Sequence, residues 1–141
     1  LQALDKALSV DPNYAMAYYV MGASYSEMGM HFEAIEMHKK GLSISPGYES
    51  GLGVAYARAG QKENALEVAV TMEKNLDSWY AYGLAELYAA LGDKDKAINF
   101  LEEAYKRRQD FMPWLKTLPA FKILYNDPRF KDIVSRMNLP T

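Results

Sequence analysis

The sequence predicts an all-α fold built from stacked pairs of antiparallel helices. Two observations predict it: three segments share one pattern of small residues and tyrosines, and prolines close the helical runs. Pro12 follows KALSVD and Pro46 follows KGLSIS, and the two prolines are 34 residues apart. A helix pair of this length cannot bury its own apolar face, so neighbouring pairs stack to form a shared core.

The three copies align on their inner glycines. A small residue stands seven positions before each glycine, a tyrosine four before it and an alanine five after it. The matching sets are Gly22, Tyr25, Gly29 and Ala34; Gly53, Tyr56, Gly60 and Ala65; and Ala85, Tyr88, Gly92 and Ala97. Apolar positions three and four apart predict two amphipathic helices in each copy, and the glycine can take the left-handed conformation that ends the first one.

The pattern gives the elements in order. We expect a leading half-repeat at 1–9 and then helix pairs at 14–28 with 31–44, 48–59 with 62–74, and 77–91 with 94–108. The step from Gly29 to Gly60 is only 31 residues, so the first helix of the second pair should be about one turn shorter.

The segment LGDKDKA in the third copy raises the question of chemistry. Its two aspartates, Asp93 and Asp95, could form a metal loop or the acid pair of an enzyme. Their counterparts are Met30 and Phe32 in the first copy and Gln61 and Glu63 in the second. Because the turn is shared and the acid pair is not, we interpret Asp93 as a helix cap and Asp95 as a first-turn acid favoured by the helix dipole.

Residues 1 to about 108 resemble the tetratricopeptide repeat family on these aligned positions. The resemblance implies a right-handed superhelix of about three repeats, at 14–46, 48–74 and 77–108, in a single domain spanning 1–141. It also implies a function in binding a protein or peptide segment in the concave groove lined by the first helices. A second resemblance covers residues 79–140 and rests on Asp127-Pro128-Arg129-Phe130 together with Met137, Leu139 and Pro140. On these residues the segment resembles the C-terminal repeat regions of multidomain bacterial signalling and regulatory proteins.

The tail, 109–141, is predicted to cap the end of the third pair. Prolines forbid a long helix there, and Asp127-Pro128 predicts a helix start that runs to about Met137. Its large apolar residues are too many for a solvated tail: Trp114, Leu118, Phe121, Leu124, Phe130, Ile133 and Val134. Solenoids need a covered end, and a partner-binding patch is the alternative.

Composition excludes several classes of function. The chain has 141 residues, no cysteine and a net charge of −2, so thiolate chemistry is excluded and a nucleic-acid-binding face is not expected. Without an apolar run of roughly 18 residues, no membrane span is expected. We expect a cytoplasmic protein, and because the chain opens inside a helix at Leu1, we expect it to be part of a longer one.

The sequence offers no catalytic or metal-binding set. His31 and His38 would lie about 10.5 Å apart along a helix, too far to share a zinc ion at bonds of about 2 Å, and both are interpreted as surface or groove residues. Neither a nucleophile elbow nor a phosphate loop is present. We therefore expect no cofactor and no enzymatic activity.

The resemblance places the binding groove on the first helices. The inward positions it implies are Met16, Tyr19, Ala23, Ser26 and Glu27; Val54, Ala57 and Arg58; and Trp79, Tyr82, Glu86 and Ala89. Because aromatic residues and arginine anchor interfaces, the predicted partner-binding residues are Tyr19, Glu27, Arg58, Trp79, Tyr82 and Glu86. The alternative is that Trp79 and Tyr82 pack between helices.

Two further expectations concern the partner. The asparagine of carboxylate-clamping family members is replaced by Ala23, Val54 and Glu86, so an acidic peptide tail is not the expected ligand. The alternative function is self-association through the apolar face of the helix at 1–9, since an open solenoid end can pair with its copy.

Overall fold

The computed structural model describes residues 1–75, 78–107 and 119–137, and all regular structure in these ranges is helical. The elements are α1 Gln2–Val10, α2 Ala15–Glu27, α3 His31–Ile44, α4 Glu49–Arg58, α5 Lys62–Lys74, α6 Ser78–Ala90, α7 Lys94–Lys106, a 3-10 helix Pro119–Leu124, and α8 Pro128–Arg136. The predicted all-α class is confirmed, and α4 has 10 residues where α2 and α6 have 13, as the shortened step predicted.

The three glycine turns have the same geometry. Gly29, Gly60 and Gly92 have φ values of 76°, 78° and 81°, in the left-handed region that L side chains rarely adopt. In each copy the residue after the glycine donates its backbone N–H to the carbonyl of the aligned tyrosine, at 2.9 Å. This is the hydrogen bond that closes a helix end of the Schellman type, so the turn itself is a repeated unit.

Both predicted aspartate caps are present. Asp93 accepts a hydrogen bond from the backbone N–H of Lys96 at 3.1 Å, and Asp127 accepts one from that of Arg129 at 2.9 Å. The Arg129 guanidinium also donates to Asp127, and these hydrogen bonds lower the pKa of the Asp127 carboxyl to about 2. The interpretation of LGDKDKA as a helix start is confirmed for Asp93.

The chain divides into two compact units, Leu1–Val70 and Thr71–Thr141, with the boundary inside α5. In the first unit, α2 packs on α3, and α3 packs on α4. Its apolar centre joins Ala34, Ile35 and Ala55 to the partly buried Tyr25 and Tyr56. The aligned alanines and tyrosines therefore form the core, as their spacing predicted.

His38 corrects one prediction, because it lies in the core of the first unit and not on its surface. Its exposed fraction is 4%. A Cβ at Gly22 of α2 would lie 2.7 Å from the ring, and a Cβ at Gly51 of α4 would lie 2.5 Å from it. Glycines on two helices thus leave the room that the imidazole occupies.

The second unit is built on α6 and α7, which pack on each other. Tyr88 of α6 stacks on Phe100 of α7 with ring centroids 5.6 Å apart, and its hydroxyl donates to Glu73 of α5 at 2.6 Å. Burial, and next the hydrogen bond to Glu73, raises the pKa of Tyr88.

The described part of the tail packs on this helix pair. The 3-10 helix contacts α6 and α7, and α8 contacts α7. Buried apolar side chains make these contacts: Phe121, Leu124, Phe130, Ile133 and Val134. Trp114 and Leu118 lie outside the described residues.

Ion pairs border the contact between α8 and α7. Arg129 pairs with Asp95 at 2.8 Å, and Arg136 pairs with Glu102. Asp95, the second aspartate of LGDKDKA, therefore forms an ion pair with the Arg129 guanidinium of the tail.

Within the described residues, no helix is both long enough and apolar enough to cross a membrane.

Candidate functional site

One face of α2 carries an exposed apolar stripe. Met16, Val20 and Ala23 follow one another at intervals of four and three residues, which places them on one side of the helix. Met16 is 38% exposed and Val20 43%. Glu27, four residues beyond Ala23, ends the stripe with a charge.

An ion pair joins the end of this stripe to the next first helix. The Arg58 guanidinium of α4 donates to the Glu27 carboxylate of α2 at 2.7 Å, and the two helices are in contact. Val54 lies one turn before Arg58 and is partly exposed. We call Met16, Val20, Ala23, Glu27, Val54 and Arg58 the α2–α4 face.

The ion pair contributes more to the chemistry of this face than to its stability. Both side chains keep contact with water, and exposed pairs contribute only about 0–1 kcal/mol. Each charge is held beside its opposite, so the face offers a donor and an acceptor side by side without a net charge. The structure thus brings together two predicted partner-binding residues, Glu27 and Arg58.

Tyr19, a third predicted contact residue, is not part of this exposed surface. It is buried, its hydroxyl donates to the backbone carbonyl of Ser45, and its ring lies 4.5 Å from that of Tyr48 between centroids. Burial, then the nearby Glu49 carboxylate, raises the pKa of Tyr19. Its visible role is to join α2 to the segment that leads into α4.

Tyr82 occupies the corresponding position of the third copy, three residues before the aligned small residue. Its ring meets the edge of Phe121 in the 3-10 helix with centroids 5.6 Å apart and planes at 75°. Burial, then the charge and hydrogen bond of Glu86, raises the pKa of Tyr82. Tyr82 therefore packs between two elements, which is the alternative that the sequence left open.

The six predicted residues thus fall into different environments. Glu27 and Arg58 share one exposed face of the first unit, and Tyr82 and Glu86 share a partly buried hydrogen bond in the second. The side chain of Trp79 lies outside the described residues.

Val20 is the residue of this face that the sequence reasoning missed. The signal was available, because Val20 lies four residues after Met16 and three before Ala23. Tyr19 is predicted as a contact residue in place of Val20 because aromatic residues are frequent at interfaces. Helix phase alone cannot choose between adjacent residues, since either side of α2 could face the solvent.

In the part of the chain that the structure describes, no group of three or more histidine, aspartate or glutamate residues is placed to hold a metal ion. The hydroxyl of Ser24 donates to the carbonyl of Val20 within α2 at 2.9 Å. An apolar stripe with a charged pair at its end is suited to binding another chain.

Comparison with known proteins finds two segments that are similar to one family. Models of the tetratricopeptide repeat match residues 3–36 and residues 77–111. The first match contains the aligned Gly22, Tyr25 and Gly29, and the second contains their counterparts in the third copy. A search of curated proteins found no match.

Proposed function

We propose that this chain, two segments of which match models of the tetratricopeptide repeat, is a non-catalytic scaffold that binds a protein or peptide segment on the α2–α4 face. Tetratricopeptide repeats are in general protein–protein interaction modules, and proteins of the family are generally non-catalytic scaffolds. The chain would serve as one module of a larger regulatory protein.

The observation that carries the proposal is the exposed stripe on α2. A surface helix of a helical repeat normally turns its apolar side to the core, and α2 does so with Ala17, Tyr18 and Met21, which are buried. Met16 and Val20 are additional apolar side chains on the opposite, exposed side. The fold does not require them there, and a bound segment would cover them.

The chemistry of the face indicates the kind of ligand. Its apolar stripe fits a row of apolar side chains on a helix or an extended segment. Glu27 and Arg58 can exchange their mutual hydrogen bond for bonds to a polar group of the ligand. Because Glu27 is the more exposed partner, a strongly acidic ligand would meet repulsion at this end.

The proposal can be tested by selecting peptides from a random phage-displayed library on the immobilised chain. Individual selected peptides would then be titrated against Val20→Asp and Met16→Asp. We expect at least a tenfold loss of affinity in each variant, with the helical circular dichroism signal retained because both side chains are exposed.

Val10→Asp is the matched control, since Val10 is an exposed apolar residue on α1 outside the proposed face. It should leave peptide affinity unchanged. If no peptide is selected, or if selected peptides bind both face variants as tightly as the parent chain, the proposed face is wrong.

The second candidate function is self-association through α1. No residue of α1 is buried, whereas α2, α3 and α4 each have buried residues. Val10 of α1 and Leu1, which precedes the helix, are exposed. Sedimentation velocity over a hundredfold range of concentration tests this candidate. A sedimentation coefficient that rises with concentration and is restored to the monomer value by Val10→Asp would support it, and a constant monomer value would exclude it.

A further inference from the structure

The turn between α2 and α3 exposes three large apolar side chains within five residues. Met28 is 54% exposed, Met30 38% and Phe32 80%. We call these three residues the turn patch. Single exposed apolar residues are common on protein surfaces, whereas a contiguous group of large ones often marks an interaction site.

The fold does not demand these residues, because the same turn is built twice more without them. The positions of the turn patch correspond to Ala59, Gln61 and Glu63 in the second copy and to Leu91, Asp93 and Asp95 in the third. All three turns share the left-handed glycine and the same closing hydrogen bond. The first position is apolar in all three copies, whereas apolar side chains at the second and third positions, Met30 and Phe32, occur in the first copy alone.

Met30 also lacks the side-chain hydrogen bond that a polar residue could make at the start of α3. It stands at the N-cap of α3, which has no side-chain cap hydrogen bond. The corresponding Asp93 caps α7 through Lys96. A methionine placed where a cap residue is favoured breaks a local rule without a visible gain in the fold, which is typical of functional positions.

Acidic side chains border the turn patch. Glu33 is exposed and makes no ion pair within the described residues, and Glu36 lies one turn beyond Phe32 on the same side of α3. Lys39 approaches Glu36 only at 3.8 Å. A ligand that covers the turn patch would therefore meet negative charge at its edge.

We propose that the turn patch binds an amphipathic helix of a partner protein that presents large apolar residues flanked by lysine or arginine. Methionine side chains adapt their shape to an apolar surface, Phe32 supplies an aromatic anchor, and Glu33 and Glu36 attract the basic flank. This surface differs from the α2–α4 face, so the two proposals stand or fall separately.

The test uses a 14-residue helical peptide of leucine and lysine and the whole chain labelled with 13C in its methionine methyl groups. We expect the methyl signals of Met28 and Met30 to shift on titration, while that of the buried Met72 does not. A peptide with glutamate in place of lysine should bind at least tenfold more weakly.

The decisive variant is Met30→Asp with Phe32→Asp, which copies the turn of the third copy. It should bind the leucine–lysine peptide at least tenfold more weakly while melting at the same or a higher temperature, because the carboxylate introduced at the N-cap of α3 restores a cap. Val70→Asp, a change at an exposed apolar residue of α5 outside both surfaces, should bind the peptide as the parent chain does.

The proposal would be overturned by methyl signals of Met28 and Met30 that do not move, by an affinity that the double variant leaves unchanged, or by equal binding of the acidic peptide. Shifts of these signals with protein concentration alone would assign the turn patch to a second copy of the chain, and would overturn it equally.

Discussion

At the scale of single residues, His38 determines how three helices of the first unit fit together. Its ring fills the space left by Gly22 and Gly51, and its centroid lies 6.4 Å from that of Tyr19. The Nδ1 atom is buried and has no hydrogen-bond partner within the described residues. Burial lowers the pKa of His38 to about 4, so the ring is neutral in the folded chain at pH 7.

This lowered pKa predicts that acid destabilises the first unit. The unfolded chain binds the His38 proton near pH 6.5, whereas the folded chain does so only near pH 4. The contribution of neutral His38 to the free energy of unfolding is therefore fully present above pH 6.5 and is lost as the pH falls from 6.5 to 4. Below pH 4 the protonation of His38 causes no further change. The loss is about 3 kcal/mol at about 1.4 kcal/mol per pKa unit, and urea unfolding between pH 7.5 and 4 measures it.

His38→Phe provides the control for this prediction, since it retains a ring that does not titrate. Between pH 6.5 and 4 the free energy of unfolding should depend less on pH in the variant than in the parent chain, whatever the stability of the variant at pH 7.5. The Asp127 carboxyl, whose pKa is lowered to about 2, acts at lower pH and does not interfere. Equal acid sensitivity of both chains would contradict the assignment to His38.

At the scale of single elements, the second helices of the first and third pairs begin differently. Asp93 supplies the cap that Met30 lacks, although the turns before them are the same. The turn geometry comes from glycine and the backbone, so it leaves the cap position free to vary. The starts of α3 and α7 consequently differ in local stability, although the turns before them have the same geometry.

Met30→Asp should therefore stabilise the chain, and Asp93→Ala should destabilise it. Each change is worth about 1 kcal/mol, because a cap oxygen satisfies a backbone N–H that otherwise has no partner in the helix. Urea unfolding at pH 7.5 measures both. Gln61→Asp serves as a further comparison in the second pair, and a Met30→Asp chain that is less stable than the parent would refute the capping argument.

The docking of α8 is predicted to depend on its apolar side chains more than on its arginines. Ile133 is fully buried, so Ile133→Ala should cost about 2–5 kcal/mol through lost contacts and the cavity left behind. Arg136 pairs with Glu102 and Asp132 and lies over the Tyr105 ring, but it is partly exposed.

Arg136→Ala should therefore cost about 1 kcal/mol or less, and less still in high salt. Urea unfolding at low and high salt compares the two variants, with the exposed Lys131→Ala as the control for a change of side chain alone. An Arg136→Ala loss as large as that of Ile133→Ala would show that charge holds α8 in place.

At the scale of the whole molecule, the chain combines a small charge with exposed apolar residues. Its net charge is −2 at pH 7, and its isoelectric point is about 5.7. Phe32 and Val10 are each at least 80% exposed. Repulsion between molecules is therefore weak near pH 5.7, where apolar surfaces can meet.

We expect solubility to pass through a minimum near pH 5.7, measured by light scattering at fixed concentration between pH 5 and 8. The double variant Met30→Asp with Phe32→Asp should scatter less at this pH, because it removes two exposed apolar side chains and adds two carboxylates. Scattering that is equal in both chains would mean that the turn patch does not drive association.

The sequence by itself determined the helices, their bounds to within two residues, the left-handed glycines and both aspartate caps. These features follow from local physics: apolar spacing along one helix, the steric freedom of glycine, and hydrogen bonds between residues two to five positions apart. The resemblance to tetratricopeptide repeats could be inferred for the same reason, since the signature of that family is a repeated local pattern.

Only the tertiary structure decided which side of each helix is covered. It buried Tyr19 and left Val20 exposed, and it placed His38 between two glycines and not on the surface. Adjacent residues on a helix point about 100° apart, so a neighbouring helix can cover one and leave the other to the solvent. That choice depends on residues far away in the chain, such as Ser45 for Tyr19 and Gly51 for His38, and a local pattern does not contain it.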